Sequence, residues 1–227
     1  MSVIRVAAAL IGAVMVSGCV TAGTDVVRFQ TKSPQQFVAM RDGQSVITSR
    51  GRFSAVTLRP ALRQVGSRPV FIVGIENASK RPLDFVVSNV EATQVIDGEA
   101  RNLKVYKYDE LVQEEQNAQV GRAVLVAALG GVNSGLAGRN EYAQARAEDQ
   151  NAVLAQNVAA QGQMNLEQLE QLAIKDQTIM PGETYGGKLY VEGPAGSDKV
   201  RSKLYTLTLM VGPDRHEIQV TQGPSVE

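Results

Sequence analysis

No proline occurs between Pro82 and Pro181. From Asp109 to about Asp176 this span is rich in Ala, Gln and Glu, which favour helix on exposed faces. On both sides the pattern changes to β-branched runs broken by turn residues. A chain written this way places a helical block inside a set of strands. Both ends of the block must then return to one sheet edge, which an antiparallel helical pair does most economically. A sheet domain beside a separate helical domain is the competing layout.

The flanking segments read as strands. "SVITSRGRFSAVTLRP" holds two β-branched runs around Arg50-Gly51. "RPVFIVGIEN" is apolar on both faces, as a strand buried on both sides is. "NASKRP" supplies turn residues. "LDFVVSNVEATQV" alternates Phe85, Val87 and Asn89 against Val86, Ser88 and Val90, and Asp97-Gly98 is a two-residue hairpin signal. After the block, Leu189 and Val191 alternate with Lys188, Tyr190 and Glu192. Tyr205, Leu207, Leu209 and Val211 then share one face, Gly212 to Arg215 turns the chain, and Ile218 and Val220 pair back. Six or seven short strands predict a mainly β fold: an antiparallel immunoglobulin-like β-sandwich interrupted by a long α-helical hairpin. The sandwich spans 45–108 plus 177–222, and the helical insertion 109–176. Ahead of them, "SPQQ" has Ser33 as a cap, Pro34 at a first helical position and Gln36 completing a capping box, which predicts a short helix over 34–41.

Within the insertion, residues 123–138 are small and apolar between Arg122 and Arg139. Ala127, Gly131 and Gly135 recur every four residues, and Gly138 adds to a second row. On a helix these positions form a smooth strip that lets another backbone approach. The strip suits packing on the second helix or the sheet, association with a second copy, or shallow insertion into a membrane. Sixteen residues rise ~24 Å as a helix, short of the ~30 Å bilayer core. The bend between helices is expected at Gly130-Gly131 or Asn133-Ser134-Gly135, and Gly162 is expected to kink or end a segment. Leu166, Leu169 and Leu172, with Leu154 and Val158, make a narrow stripe for one packing partner.

The amino terminus reads as an address. Arg5 precedes an apolar run, Val6 to Val16, of the length of a secretory-signal core. Val16-Ser17-Gly18-Cys19 follows, and Cys19 is the one cysteine in the chain. These four residues resemble the lipobox of bacterial lipoproteins. The resemblance covers residues 1–19 alone. It implies a signal peptide over 1–18, cleavage before Cys19, and lipidation of Cys19 by diacylglycerol and an acyl group such as palmitate. Val20 in place of Asp implies sorting to the outer membrane, on its periplasmic face. Residues 19–44 would then be a lipid-anchored tether ending in the short helix. An ordinary secretory signal with an incidental cysteine is the alternative. Several acyl chains hold a protein on a membrane far more firmly than one. With Cys19 lipidated, no disulfide forms within the chain, so the fold rests on burial.

Losing Arg5 leaves 22 basic against 23 acidic residues, so bulk charge does not attract nucleic acid. His216 is the one histidine and sits by a predicted turn, where a solvated side chain is expected. No cluster of His, Cys and carboxylates suggests a metal, and no cofactor motif is present. Ser134 lies in an apolar helical context rather than a nucleophile elbow. Glu114 and Glu115 are neighbours on a helix and are expected to point apart into solvent. The expected function is therefore a non-enzymatic, lipid-anchored envelope protein that binds or scaffolds. Its partners would be the membrane, through Cys19, and a protein or a second copy, through the insertion. The alternatives are an oligomeric subunit of a secretion, adhesion or surface-polymer apparatus, and, more remotely, an enzyme acting on cell wall or glycan.

Overall fold

The computed structural model describes residues 26–61, 68–136, 141–195 and 203–223. The expected signal region and Cys19 lie outside them. Among the described residues the chain is mainly β, with two antiparallel sheets and two helices.

The first sheet holds β1 (Val26–Gln30), β6 (Leu83–Phe85), β7 (Glu91–Ile96), β8 (Glu99–Leu103), β10 (Gln177–Ile179), β12 (Lys203–Val211) and β13 (Asp214–Gly223). The second holds β2 (Gln36–Arg41), β3 (Gln44–Arg50), β4 (Ser54–Pro60), β5 (Val70–Asn77), β9 (Val105–Tyr106) and β11 (Thr184–Val191), in the order β2-β3-β4-β5-β11-β9. The helices are α1 (Tyr108–Leu136) and α2 (Glu141–Leu172).

Strand alternation builds the core. Val56 and Leu58 on β4, Phe71, Val73 and Ile75 on β5, and Leu189 and Val191 on β11 turn inward from the second sheet. Tyr205, Leu207, Leu209, Val211, Ile218 and Val220 meet them from the first. Phe29 of β1 packs its ring 6.1 Å from that of Phe71, so one cluster joins both sheets. The β12–β13 hairpin has the expected inward face, and its register pairs Tyr205 with Val220 and Leu207 with Ile218.

Several expectations are corrected. Residues 34–41 do not form a helix; β2 occupies 36–41 and pairs with β3 from Gln36↔Ser49 to Arg41↔Gln44. The capping box is not made. The Gln36 amide instead donates to the Glu217 carbonyl at 2.7 Å and accepts from the Lys32 N–H at 2.7 Å. Asp42 and Gly43, at φ 50° and 73°, form the two-residue turn between β2 and β3, and this hairpin signal outweighs the cap. The sandwich consequently begins at β1 rather than residue 45. Among the described residues thirteen strands replace the six or seven expected, because short pieces such as β6, β9 and β10 carry too few residues to show alternation. The 83–95 run is also split, by a 3-10 turn over Val87–Asn89. Neither glycine stretch bends α1, which runs unbroken to Leu136, and α2 runs through Gly162.

The strands resume across the insertion as the layout requires. Tyr106 of β9 pairs with Tyr190 of β11, and Val105 with Val191. At the other end of the insertion, Ile174 donates to the Lys188 carbonyl at 3.0 Å. Gly187 makes this approach possible, since a Cβ there would lie 2.9 Å from the Ile174 backbone. Phe71→Ala removes a fully buried ring from the junction of the sheets, and its expected cost is about 3–5 kcal/mol. Urea unfolding of wild type and variant measures it.

Candidate functional site

The two helices pack chiefly on each other. Asn165 donates to Glu115 at 3.0 Å, and Gly162 lies against the Gln119 side chain, so successive contacts run in opposite directions along the helices. Gln119 occupies the space a side chain at 162 would take, which explains an unbroken helix around a glycine. Glu114 and Glu115 do point apart, but neither is simply solvated. Glu114 receives both arms of the Arg68 guanidinium, at 2.9 and 3.0 Å. That hydrogen-bonded pairing holds the Glu114 carboxyl below its ordinary pKa and raises that of Arg68. Glu115 turns toward α2 and takes Arg122 at 2.5 Å together with Asn165. A second ion pair, Lys104–Glu110 at 2.8 Å, holds the first turn of α1.

Beyond these contacts a groove of about 540 Å³ runs between the helices. Val120, Ala123 and Ala127 line it from α1, and Asn151, Ala155 and Ala159 from α2. Small side chains leave the groove open, while Val120, Val124 and Leu125 on α1, and Val153 and Leu154 on α2, remain exposed. Of the expected strip, Ala127 is exposed at the groove. Gly131 and Gly135 lie in α1, but their surroundings fall outside the described residues, as does Gly138. The Leu166-Leu169-Leu172 stripe is only partly covered: the first two are half-buried and Leu172 is exposed.

A second constellation was missed in the sequence. His216 is not solvated; it is 1% exposed, on the inward face of β13. Asp214, His216, Ile218 and Val220 share that face, so the period-two pattern already seen at Ile218 and Val220 reaches back to the histidine. Nε2 of His216 lies 2.9 Å from Ser54 Oγ, and Nδ1 lies 3.1 Å from Ser49 Oγ. Ser54 Oγ also lies 2.9 Å from Asp214 Oδ2. A carboxylate only accepts, so Ser54 spends its one proton on Asp214. His216 Nε2–H then donates to Ser54, and Ser49 donates to Nδ1. Asp214 Oδ2 further accepts from the N–H groups of Phe53, at 2.7 Å, and Ser54, at 2.8 Å. Gly51 completes the turn, where any Cβ would collide with the Asp214 carboxylate.

This direction of donation is opposite to that of a nucleophile activated by a base, in which the imidazole accepts the serine proton. Ser54 is 2% exposed, so substrate does not reach it. The cluster instead fastens the β3–β4 turn of one sheet to β13 of the other. Burial pushes the His216 pKa below its ordinary value, and the Asp214 charge and the Ser49 backbone offset only part of this. Burial raises the Asp214 carboxyl, but the hydrogen bonds from Phe53 and Ser54, with the His216 charge, outweigh it and leave its pKa lowered. Among the described residues no group of three His, Cys, Asp or Glu side chains is placed to hold a metal, and no helix is long and apolar enough to cross a membrane. Comparison with family models, with curated proteins and with solved structures gives no match.

The linkage has a definite sign. Below about pH 6.5 the unfolded chain protonates His216 while the folded chain resists, so stability is full above that pH and is lost as pH falls through the folded value. Asp214 acts in the same direction at more acid pH, below about 3.9. The folded protein is expected to lose stability between pH 7 and pH 5. His216→Gln should flatten that slope, as read by urea titrations across the range. Asp214→Ala strands three donors and should cost about 3 kcal/mol at neutral pH.

Proposed function

We propose that this chain is a lipid-anchored protein of the bacterial cell envelope, held through Cys19 on the periplasmic face of the outer membrane. Its immunoglobulin-like sandwich presents a helical hairpin as a non-enzymatic binding or scaffolding arm. One observation carries the reading: two long helices pack mainly on each other while Val120, Val124, Leu125, Val153 and Leu154 stay exposed. Apolar side chains gathered on an extended element are typical of an interaction surface. From Glu115 to Leu136, α1 extends ~32 Å.

The position of the arm supports the same reading. Val26 pairs with Gly223, at the end of β13 opposite Asp214. Asp214 binds Ser54, Ser54 pairs with Asn77, and Asn77 ends β5, so Val70 and Val191 mark the opposite end of the second sheet. The first turns of α1 are held there, by Arg68 and Lys104. The arm and the strand that follows the anchor thus start from the same end of the sandwich. A second reading, an oligomeric subunit of an envelope assembly, is favoured by the alanine-lined groove, which admits a helix of another copy.

Two experiments test these readings. Cys19→Ser should abolish incorporation of radiolabelled palmitate and leave the precursor uncut; persistent labelling refutes the anchor. A photo-crosslinking residue at position 124 or 154, in cells, should capture one defined protein, and Val124→Asp with Leu125→Asp should abolish that capture. A captured second copy, together with a doubled mass by light scattering of the chain lacking residues 1–19, selects the subunit reading. No capture at either position defeats the interaction role of the arm.

A further inference from the structure

Three turns meet at the end of the sandwich away from Val26. They are the Gly51–Phe53 turn between β3 and β4, the 78–82 segment between β5 and β6, and Gly212–Pro213 between β12 and β13. Between them lies a cleft of about 740 Å³. Leu83, buried, and Phe53, half-buried, give it an apolar base. Arg52, Lys80 and Arg81 line it as exposed cations. Asp84 is the one carboxylate among the described lining residues, and it already accepts the Thr178 hydroxyl at 2.7 Å. Among the described residues none of the three cations has a carboxylate within 4.0 Å. The Arg52 guanidinium instead sits 5.1 Å from the centre of the Phe53 ring.

The walls of this cleft are fixed by their own hydrogen bonds. Asn77, fully buried, donates from Nδ2 to the carbonyls of Arg81 and Ile179, each at 2.8 Å, and accepts the Ser79 N–H at 2.8 Å. The Ser79 hydroxyl donates to the Arg81 carbonyl at 2.7 Å. Ala78 N–H donates to the Phe53 carbonyl at 2.9 Å, and Gly212 N–H to the Asp84 carbonyl at 2.9 Å, so each turn is tied to a neighbour. Asp214 holds the Phe53 turn from behind. A ligand therefore meets a preformed cleft and does not bear the entropy of ordering its loops. Three cations gathered around one cleft repel one another, and an anion between them relieves that repulsion.

We propose that this cleft binds a small amphipathic anion, a carboxylate or phosphate joined to an apolar ring or short chain. Arg52, Lys80 and Arg81 grip the charge, and Phe53 and Leu83 pack against the apolar body. The volume falls in the range of small-molecule sites, roughly 300–1,000 Å³. The same chemistry comes from a free metabolite-like anion or from the head of a phospholipid. β13 separates the cleft from the Val26 end by ~30 Å, so the site is independent of the arm and of the anchor.

The test uses the full-length chain with Cys19→Ser and 2-naphthoate as probe. Calorimetry should give one saturable site, and amide resonances of Phe53, Ala78 and Gly212 should shift. The neutral counterpart 2-naphthylmethanol should bind about ten-fold more weakly or worse, and so should 2-naphthoate with the Arg52→Gln, Lys80→Gln, Arg81→Gln variant. These side chains are exposed, and an unchanged far-UV spectrum checks the fold. Should the triple variant unfold, Arg81→Gln alone serves. Phosphatidylglycerol vesicles that pull down the chain, but not the variant, identify a lipid head as the source. Naphthoate binding without vesicle binding identifies a free anion. No naphthoate binding, equal binding by the variant, or shifts confined to α1 and α2 overturns the proposal.

Discussion

The pairing of β9 with β11 is the constraint on which the architecture depends. β9 leads into the insertion and β11 follows it after β10, and two residue pairs, Val105↔Val191 and Tyr106↔Tyr190, bring the chain back into one sheet. Because β11 also pairs with β5 along nearly its whole length, the return delivers a central strand rather than an edge. Without β11 itself, Leu189 and Val191 would be missing from the core, and the second sheet would end at β5. Loop closure over a long insertion is entropically affordable because its cost grows only slowly with length. Among the described residues the helices add little to the core themselves; Leu111 is a large apolar side chain of α1 buried at its root.

The sheets are also joined by polar groups. Asp214, Ser54, His216 and Ser49 form a directed hydrogen-bond chain between β13 and the β3–β4 turn, with every described donor matched to an acceptor. Asn77 does comparable work at the same end, where its side chain satisfies two carbonyls and one N–H. Such groups are stabilising only when complete, since a buried donor left unpaired costs more than a formed bond contributes. The end of the sandwich that carries the cationic cleft is thereby fixed by buried hydrogen bonds. The other end, with Val26 and the arm root, has buried polar pairs of its own, Gln94 with Ala195 and Tyr205 with Gln222, beside exposed ion pairs that contribute little individually.

The sequence revealed what has a long period and hid what is assembled from distant pieces. The helical block, the β12–β13 hairpin and the inward faces of β4, β5 and β11 all follow from repeated apolar spacing. At 34–43 two local signals conflicted: a Ser33 cap with Gln36, and Asp42-Gly43. The turn prevailed because it closes a hairpin stabilised along six residue pairs, whereas a cap satisfies one or two groups. His216 was misread because the turn ended at Pro213, sooner than expected, which moved the histidine onto an inward strand position. The cleft was invisible because residues near 52, 80 and 212 are neighbours only after the sheets have formed.

Gly162 and Gly187 place two of the arm's constraints, one along its shaft and one at its root. At 187 a backbone passes where no side chain fits, and at 162 a glutamine fills the missing volume. Among the described residues the sandwich holds the arm at its root. Adding seven residues to each helix lengthens the arm by ~10 Å and nearly restores the facing surfaces. Reach is therefore a quantity that evolution, or an engineer, can vary in steps of two turns while the strands stay unchanged.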